Sequence, residues 1–133
     1  MSGLATEVVQ NVGISSNARL ARPRGMTLVI DGEIGADELA DIGEMLVNLS
    51  FDGVTDLVID LRGVSHLDYR GIPSLVRRAE VFRELGGDVK LAGLSPYLFT
   101  IFQAAGAHGA FDFFAEVSDA QRSFHEAVMV QGH

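Results

Sequence analysis

The chain contains no cysteine. That excludes a disulfide framework and fits a reducing compartment. It also removes cysteine nucleophiles, thiolate metal sites and iron–sulfur clusters. Basic residues are scarce: 10 Lys and Arg stand against 18 Asp and Glu, for a net charge of −8. A chain so acidic is a poor nonspecific binder of nucleic acid, where a basic face supplies most of the affinity. It is equally ill suited to cling to an anionic membrane surface. No apolar run approaches the ~18–20 residues of a membrane helix, so direct membrane insertion is not expected. The start, Met1 to Glu7, lacks a basic segment leading into an apolar core, so no signal peptide is expected and the expected setting is the cytoplasm. There is no internal repeat and no low-complexity segment. The histidines His66, His108, His125 and His133 lack metal-ligand spacing. Gly106-Ala107-His108-Gly109 does not make a phosphate loop. No metal, cofactor or enzymatic activity is expected.

What is present suits one globular domain: 133 residues, 47% hydrophobic and 21% charged. Glu7 to Ile14 reads as an edge strand followed by a turn at Ser15-Ser16-Asn17, and Arg22-Pro23-Arg24-Gly25 as a second break. Met26 to Ile30 reads as a strand stopped by Asp31-Gly32. From Asp37 to Leu49, apolar Leu39, Ile42, Leu46 and Leu49 recur at helical spacing, with Asp37, Glu38, Asp41 and Glu44 on the other side. Leu57 to Leu61 is a short, nearly continuous apolar run, the mark of a strand covered on both faces. A helix follows from Gly71 to Leu85, with Ile72, Leu75, Val76, Ala79 and Phe82 as its buried stripe and Arg77, Arg78, Glu80, Arg83 and Glu84 on its polar side. Gly86-Gly87 stops it, and Val89 to Leu91 is a strand. Ser95-Pro96 caps a helix running to Ala105. That helix is apolar nearly all round, so it is either deeply buried or offers a face to a partner or a second copy. Phe111 to Ala115 reads as a last strand, and Ser118 with Gln121 as a capping box opening the last helix, whose stripe is Phe124, Ala127 and Val128. Alternation of strand and helix predicts an α/β fold: a mixed, largely parallel sheet of four to five strands with about four helices. The chain divides into an N-terminal edge strand or extension over 1–24, a domain over 25–128, and a flexible tail over 129–133.

The most informative stretch runs from Leu57 to Gly71. It reads as a buried strand, a short acidic turn and a helix start. Backbone N–H groups and the helix dipole make such a turn attractive to negative charge. His66 and Asp68 lie close enough in the chain to raise the idea of acid–base chemistry, yet no nucleophile or third orienting residue accompanies them.

Taken together, the pieces resemble the STAS domain, the fold of bacterial anti-sigma factor antagonists. The resemblance spans Gly25 to Ala127. It is carried by Asp31-Gly32-Glu33-Ile34, by Val58-Ile59-Asp60-Leu61 with Val64-Ser65-His66-Leu67-Asp68, by Gly86-Gly87 with Val89-Lys90-Leu91-Ala92-Gly93-Leu94-Ser95-Pro96, and by Phe102 through Gly106. The resemblance implies a non-catalytic protein-binding regulator acting through the turn Asp68-Tyr69-Arg70-Gly71. In the family that turn reads Asp-Ser-Ser-Gly, or Asp followed by Ser or Thr, and a partner kinase, itself the anti-sigma factor, phosphorylates the first hydroxyl residue. Here Asp68 and Gly71 match, while Tyr69 takes the position of the family serine and Arg70 the next. Tyr69 is too long to mimic serine in a kinase pocket, so phosphorylation at Tyr69 is not expected; Ser65 and Ser74 are the nearest other hydroxyls.

Arg70 places a positive charge at a helix N-terminus, unfavourable by a few tenths to about 1 kcal/mol when exposed. It calls for either a partner's acid or compensation by Asp68. Tyr and Arg are also the residue types enriched in binding hot spots. The expected partner-binding residues are Asp68, Tyr69, Arg70, Gly71, Ser74, Arg77 and Arg78. The expected partner is a kinase-type anti-sigma factor or a STAS-interacting scaffold, with a homodimer as a further option. An alternative is a scaffold or accessory subunit of a stress-signalling assembly or of a lipid ABC transporter; a nucleotide- or ligand-binding module is a third reading.

Overall fold

The computed structural model describes residues 5–11 and 24–131, with side chains from 24 to 125. Strand β1 (Ala5–Asn11) is followed by β2 (Gly25–Ile34), α1 (Ala36–Phe51), β3 (Asp56–Leu67), a single 3₁₀ turn (Tyr69–Gly71), α2 (Ile72–Glu84), β4 (Asp88–Ala92), α3 (Pro96–Ala104), β5 (Asp112–Phe114) and α4 (Val117–Gln131). The five strands lie side by side in chain order. β2 through β5 are parallel, and β1 joins β2 antiparallel. The expected mixed, largely parallel sheet is therefore present, and its N-terminal edge strand is the antiparallel one. The Ser15-Ser16-Asn17 turn, the break at Arg22-Pro23, and Gly132-His133 lie outside the described residues; α4 itself continues to Gln131.

Two layers cover the sheet. The main core joins Leu28, Ile30, Leu57, Ile59, Val89 and Leu91 of the sheet to Leu39, Ile42 and Leu46 of α1, Leu75, Ala79 and Phe82 of α2, and Leu98 and Phe102 of α3. A smaller cluster on the other face sets Val58 and Ala92 against Ala120 of α4, with Phe114, Val117 and Phe124 around it. Lys90 belongs to this second face. Its side chain, 10% exposed, reaches Asp112 at 3.3 Å. Its ammonium also lies 4.8 Å from the Phe124 ring centre and 5.6 Å from that of Phe114. The aromatic faces and one carboxylate thus compensate the buried cation.

Three sequence expectations need correction. Asp31-Gly32 does not stop the second strand: β2 continues to Ile34, and Gly32 takes φ 92° within it. β3 does not end at Leu61 but runs to Leu67, so the acidic turn shrinks to Asp68 and the 3₁₀ turn. The cause is a pair of irregularities in β2–β3 pairing, where β3 carries an extra residue between the partners of Val29 and Asp31 and again between those of Gly32 and Glu33. Each extra residue flips the alternation of faces. At the first irregularity Gly63 pairs with Asp31, and a Cβ on Gly63 would lie 2.6 Å from the Asp31 Cβ. Finally, Ser118 and Gln121 do not form a capping box. α4 begins one residue earlier, at Val117, and the Gln121 amide instead donates to Thr27 Oγ1 at 3.0 Å, tying α4 to β2.

Candidate functional site

The site forms where β2 and β3 end together and α1 and α2 begin. The Asp68 N–H donates to the Ile34 carbonyl at 3.0 Å, so the strand pair is closed up to the turn. Asp68 then leaves the strand with extended backbone, φ −77° and ψ 112°, and acts as N-cap of the 3₁₀ turn. Its Oδ1 accepts from the Arg70 backbone N–H and from Arg70 Nε, both at 3.0 Å, and its Oδ2 accepts from Arg70 Nη2 at 2.7 Å. The guanidinium fork thus closes on the carboxylate two residues before it. Donation from the Arg70 side chain, then from its backbone N–H, holds the Asp68 carboxyl down at about 2. Of the two explanations the sequence allows for a cation at this helix start, Asp68 supplies one within the chain.

Gly71 fixes the other end of the turn. It is buried, and a Cβ there would meet Ala36 Cα and Leu39 Cδ1 at 2.9 Å and Leu39 Cβ at 3.1 Å. Its backbone is ordinary right-handed helical, φ −89° and ψ −9°. Gly71 is therefore required by the close approach of α1, not by backbone freedom. Between these two fixed points Tyr69 projects with 56% of its surface exposed, and the Arg70 side chain is exposed as well.

β3 and α3 add a pair that the sequence did not reveal. His66 Nδ1 and Tyr97 Oη share a hydrogen bond at 2.6 Å, and the rings stack 5.8 Å apart. They are 31 residues apart in the chain and meet only because α3 crosses near the end of β3. His66 is thus engaged by Tyr97, while Asp68 is engaged by Arg70, so the two form no acid–base relay. The apolar excess of α3 is largely absorbed by the core, which buries Leu98, Ile101 and Phe102, and Phe99 packs edge-on against Phe113. Tyr97 is what α3 leaves exposed among its large apolar residues.

Along α2, Ser74 is half-buried and Arg77 and Arg78 are exposed. The Arg78 stem lies over Gly43 of α1, where a Cβ would come within 2.7 Å of it. Arg83 does not continue this exposed row. It pairs with Asp88 at 2.8 Å and lies 5.3 Å from the Phe111 ring centre, because its position on the helix turns it toward β4. Ser65 is exposed on β3.

No group of three or more potential ligands is gathered for a metal ion among the described residues. Among those residues, no helix is long and apolar enough to cross a membrane. A cleft of about 430 Å³ lined by Arg83, Asp88, Phe111 and Asp112 lies at the opposite end of the strands from the Asp68 turn. Because the described strands are in chain order, there is no topological switch point among them beside that turn.

Residues 17–120 match the family model of the STAS domain. The chain belongs to the STAS-domain family. It is 33% identical over 87 residues to the anti-sigma-B factor antagonist of Bacillus subtilis (strain 168), a stretch that covers 65% of this chain and 79% of that relative. The fold is shared with the anti-sigma factor antagonist SpoIIAA in its unphosphorylated form, with a TM-score of 0.63 and 17% identity over 96% of this chain and 98% of that one. An anti-sigma factor antagonist from Mycobacterium paratuberculosis is similar at a TM-score of 0.63 and 18% identity, over 88% and 93% of the two chains. The fold also makes up a part of SLC26A9, where 80% of this chain matches 20% of the larger one at a TM-score of 0.63 and 13% identity.

Proposed function

We propose that this STAS domain is a non-catalytic regulator that binds a protein partner through the Asp68–Gly71 turn and the adjoining face of α2, in the manner of an anti-sigma factor antagonist. The partner is a kinase-type anti-sigma factor. The observation that carries the reading is the turn itself: Asp68 and Gly71 hold a fixed frame, and Tyr69 and Arg70 stand exposed within it. A rigid aromatic and an arginine on a pre-formed turn bind at low entropic cost. Ser74, Arg77 and Arg78 extend the contact along α2, and Tyr97 with His66 borders it.

The same turn lacks the off-switch of a serine. Phosphate at that position would bring about −1.5 to −2 charge onto the surface and expel a partner. Here the position offers a phenol and, next to it, a guanidinium committed to Asp68. The domain acts as an antagonist whose binding is not gated by serine phosphorylation at this turn. The test is to incubate the domain with each anti-sigma kinase of the same genome and ATP, then measure complex formation and intact mass. Binding without a phosphate on residues 69–71 supports the reading; stoichiometric phosphate on Tyr69 refutes it. Capture of a transporter ATPase or a STAS scaffold in place of any kinase would favour an accessory-subunit role.

A further inference from the structure

From Leu91 to Phe111 the chain holds no Asp, Glu, Lys or Arg, the longest such stretch in the sequence. α3 lies wholly within it. One side of α3 gives Leu98, Ile101 and Phe102 to the core. On the other side Pro96, Tyr97, Thr100, Gln103 and Ala104 are all exposed. Tyr97, Thr100 and Ala104 recur at spacings of three and four residues, so they form one stripe. The outer sides of α1 and α2 differ. α1 exposes Asp37, Asp41 and Glu44, and α2 exposes Arg77 and Arg78 beside Glu80 and Glu84. Charge of that kind is what a surface left to water ordinarily carries.

The uncharged face adjoins the Asp68–Gly71 turn. α3 packs against the 3₁₀ turn as well as against β3. Tyr97, in its first turn, is tied to His66 by the 2.6 Å hydrogen bond and by stacking. Tyr97 nevertheless keeps 52% of its surface exposed. Bond and stacking hold the ring in place, so covering it costs little further entropy.

A stable protein interface takes about 20–30 residues from each side. The turn with Ser74, Arg77 and Arg78 supplies far fewer, so a partner seated there must also cover a neighbouring face. The centre of an interface is depleted in charge and enriched in tyrosine, because a charge taken out of water is costly unless it is paired. The outer face of α2 would bring charges of both signs into that centre, whereas the outer face of α3 brings none.

We propose that the outer face of α3, with Tyr97 as its anchor, joins Tyr69 in the water-free centre of the partner-binding surface, and that the arginines of α2 form its margin. This rests on the reading of the turn as a partner-binding surface, and it adds the chemistry of the contact. The anti-sigma factor meets α3 with an uncharged patch whose hydrogen-bonding groups face Tyr97, Thr100 and Gln103. A regulatory partner is favoured over a second copy because the face is continuous with the turn that the partner holds.

The test places a charge of either sign on α3. Thr100→Arg and Thr100→Glu are titrated calorimetrically against a kinase-type anti-sigma factor, with Gln103→Arg as a second site and Tyr69→Ala for comparison. Asn48→Arg and Asn48→Glu, on the exposed side of α1, control for the change in net charge. Circular dichroism checks that each variant is folded. Both Thr100 variants and Gln103→Arg are expected to weaken binding by about tenfold or more, and the Asn48 variants to stay within about twofold of wild type. Weakening by both signs is the mark of a centre emptied of water; a margin would respond to the two signs in opposite directions. Opposite responses, or wild-type affinity in both Thr100 variants while Tyr69→Ala binds weakly, would overturn the α3 assignment and leave the turn as the binding surface. A wild-type domain that binds no anti-sigma factor would overturn both readings. A two-chain mass in light scattering that falls to one chain in the Thr100 variants would give the face to a second copy and overturn the proposal as well.

Discussion

Replacing Gly71 by alanine tests how the turn is held. The right-handed backbone at this position accepts any L-residue, φ −89° and ψ −9°. Without other effects, Gly→Ala would stabilise by about 0.4–1 kcal/mol through the unfolded chain. The added methyl, however, lands 2.9 Å from Ala36 Cα and from Leu39 Cδ1. The first is backbone, and Leu39 is 2% exposed in the core, so the methyl must displace packed atoms. Overpacking of this kind costs about 1–3 kcal/mol. The net expectation is a loss of about 1–2 kcal/mol, or a fall in Tm of roughly 3–8 °C for a domain of this size. Urea denaturation and calorimetry give the value. The matched control is Gly109→Ala, where nothing lies within 4 Å of the new methyl and the φ is not positive, so Tm should hold or rise slightly. If Gly71→Ala is as harmless as Gly109→Ala, α1 does not fix the turn and its rigidity is lost as an explanation of binding.

Other expectations concern charge and the second face. Arg70→Ala should release the Asp68 carboxyl from about 2 back toward the ordinary carboxylate range, read by carbon-detected NMR titration. Since its folded pKa lies below the unfolded one, the ionised Asp68 adds stability above about pH 4 that is lost as the pH falls toward 2. Arg70→Ala should therefore make the acid limb of the stability profile shallower; an unchanged limb would show that Arg70 is not the cause. Lys90→Ala should destabilise by about 1–3 kcal/mol in chemical denaturation, because it removes a packed stem and leaves Phe114, Phe124 and Asp112 without their cation. A change below about 0.5 kcal/mol would mean that the Lys90 cation does not help to hold α4.

Much of the architecture is legible in the sequence because its elements carry regular periods. Leu39, Ile42 and Leu46 on α1, and Leu75, Ala79 and Phe82 on α2, are spaced for one helical face and are the residues buried there. The second half of β3 is not legible. After Leu61 its buried residues are Val64 and Leu67, three apart, because the two extra residues in its pairing break the alternation that marks a strand. Gln121 looks like a capping residue because Ser118 precedes it by three. Its tertiary bond to Thr27, 94 residues away, overrides the local pattern. At the site, the local signals are the readable ones. The Asp68 cap lies within the turn, whereas the meeting of Gly71 with Ala36 and of His66 with Tyr97 depends on how distant elements cross. The choice between Asp68 and a partner as the acid for Arg70 also required the side-chain geometry.

The most direct test of the account is calorimetric titration of a kinase-type anti-sigma factor with the wild-type domain, with Tyr69→Ala and with Arg77→Ala, before and after incubation with ATP. If the turn is a binding surface lacking a serine switch, Tyr69→Ala should weaken binding by tenfold or more, about 1.4 kcal/mol or above. Arg77→Ala should weaken it less, and ATP should leave the wild-type affinity unchanged. Equal affinity for wild type and Tyr69→Ala, or loss of binding on incubation with ATP together with a phosphate in the turn, would contradict the account.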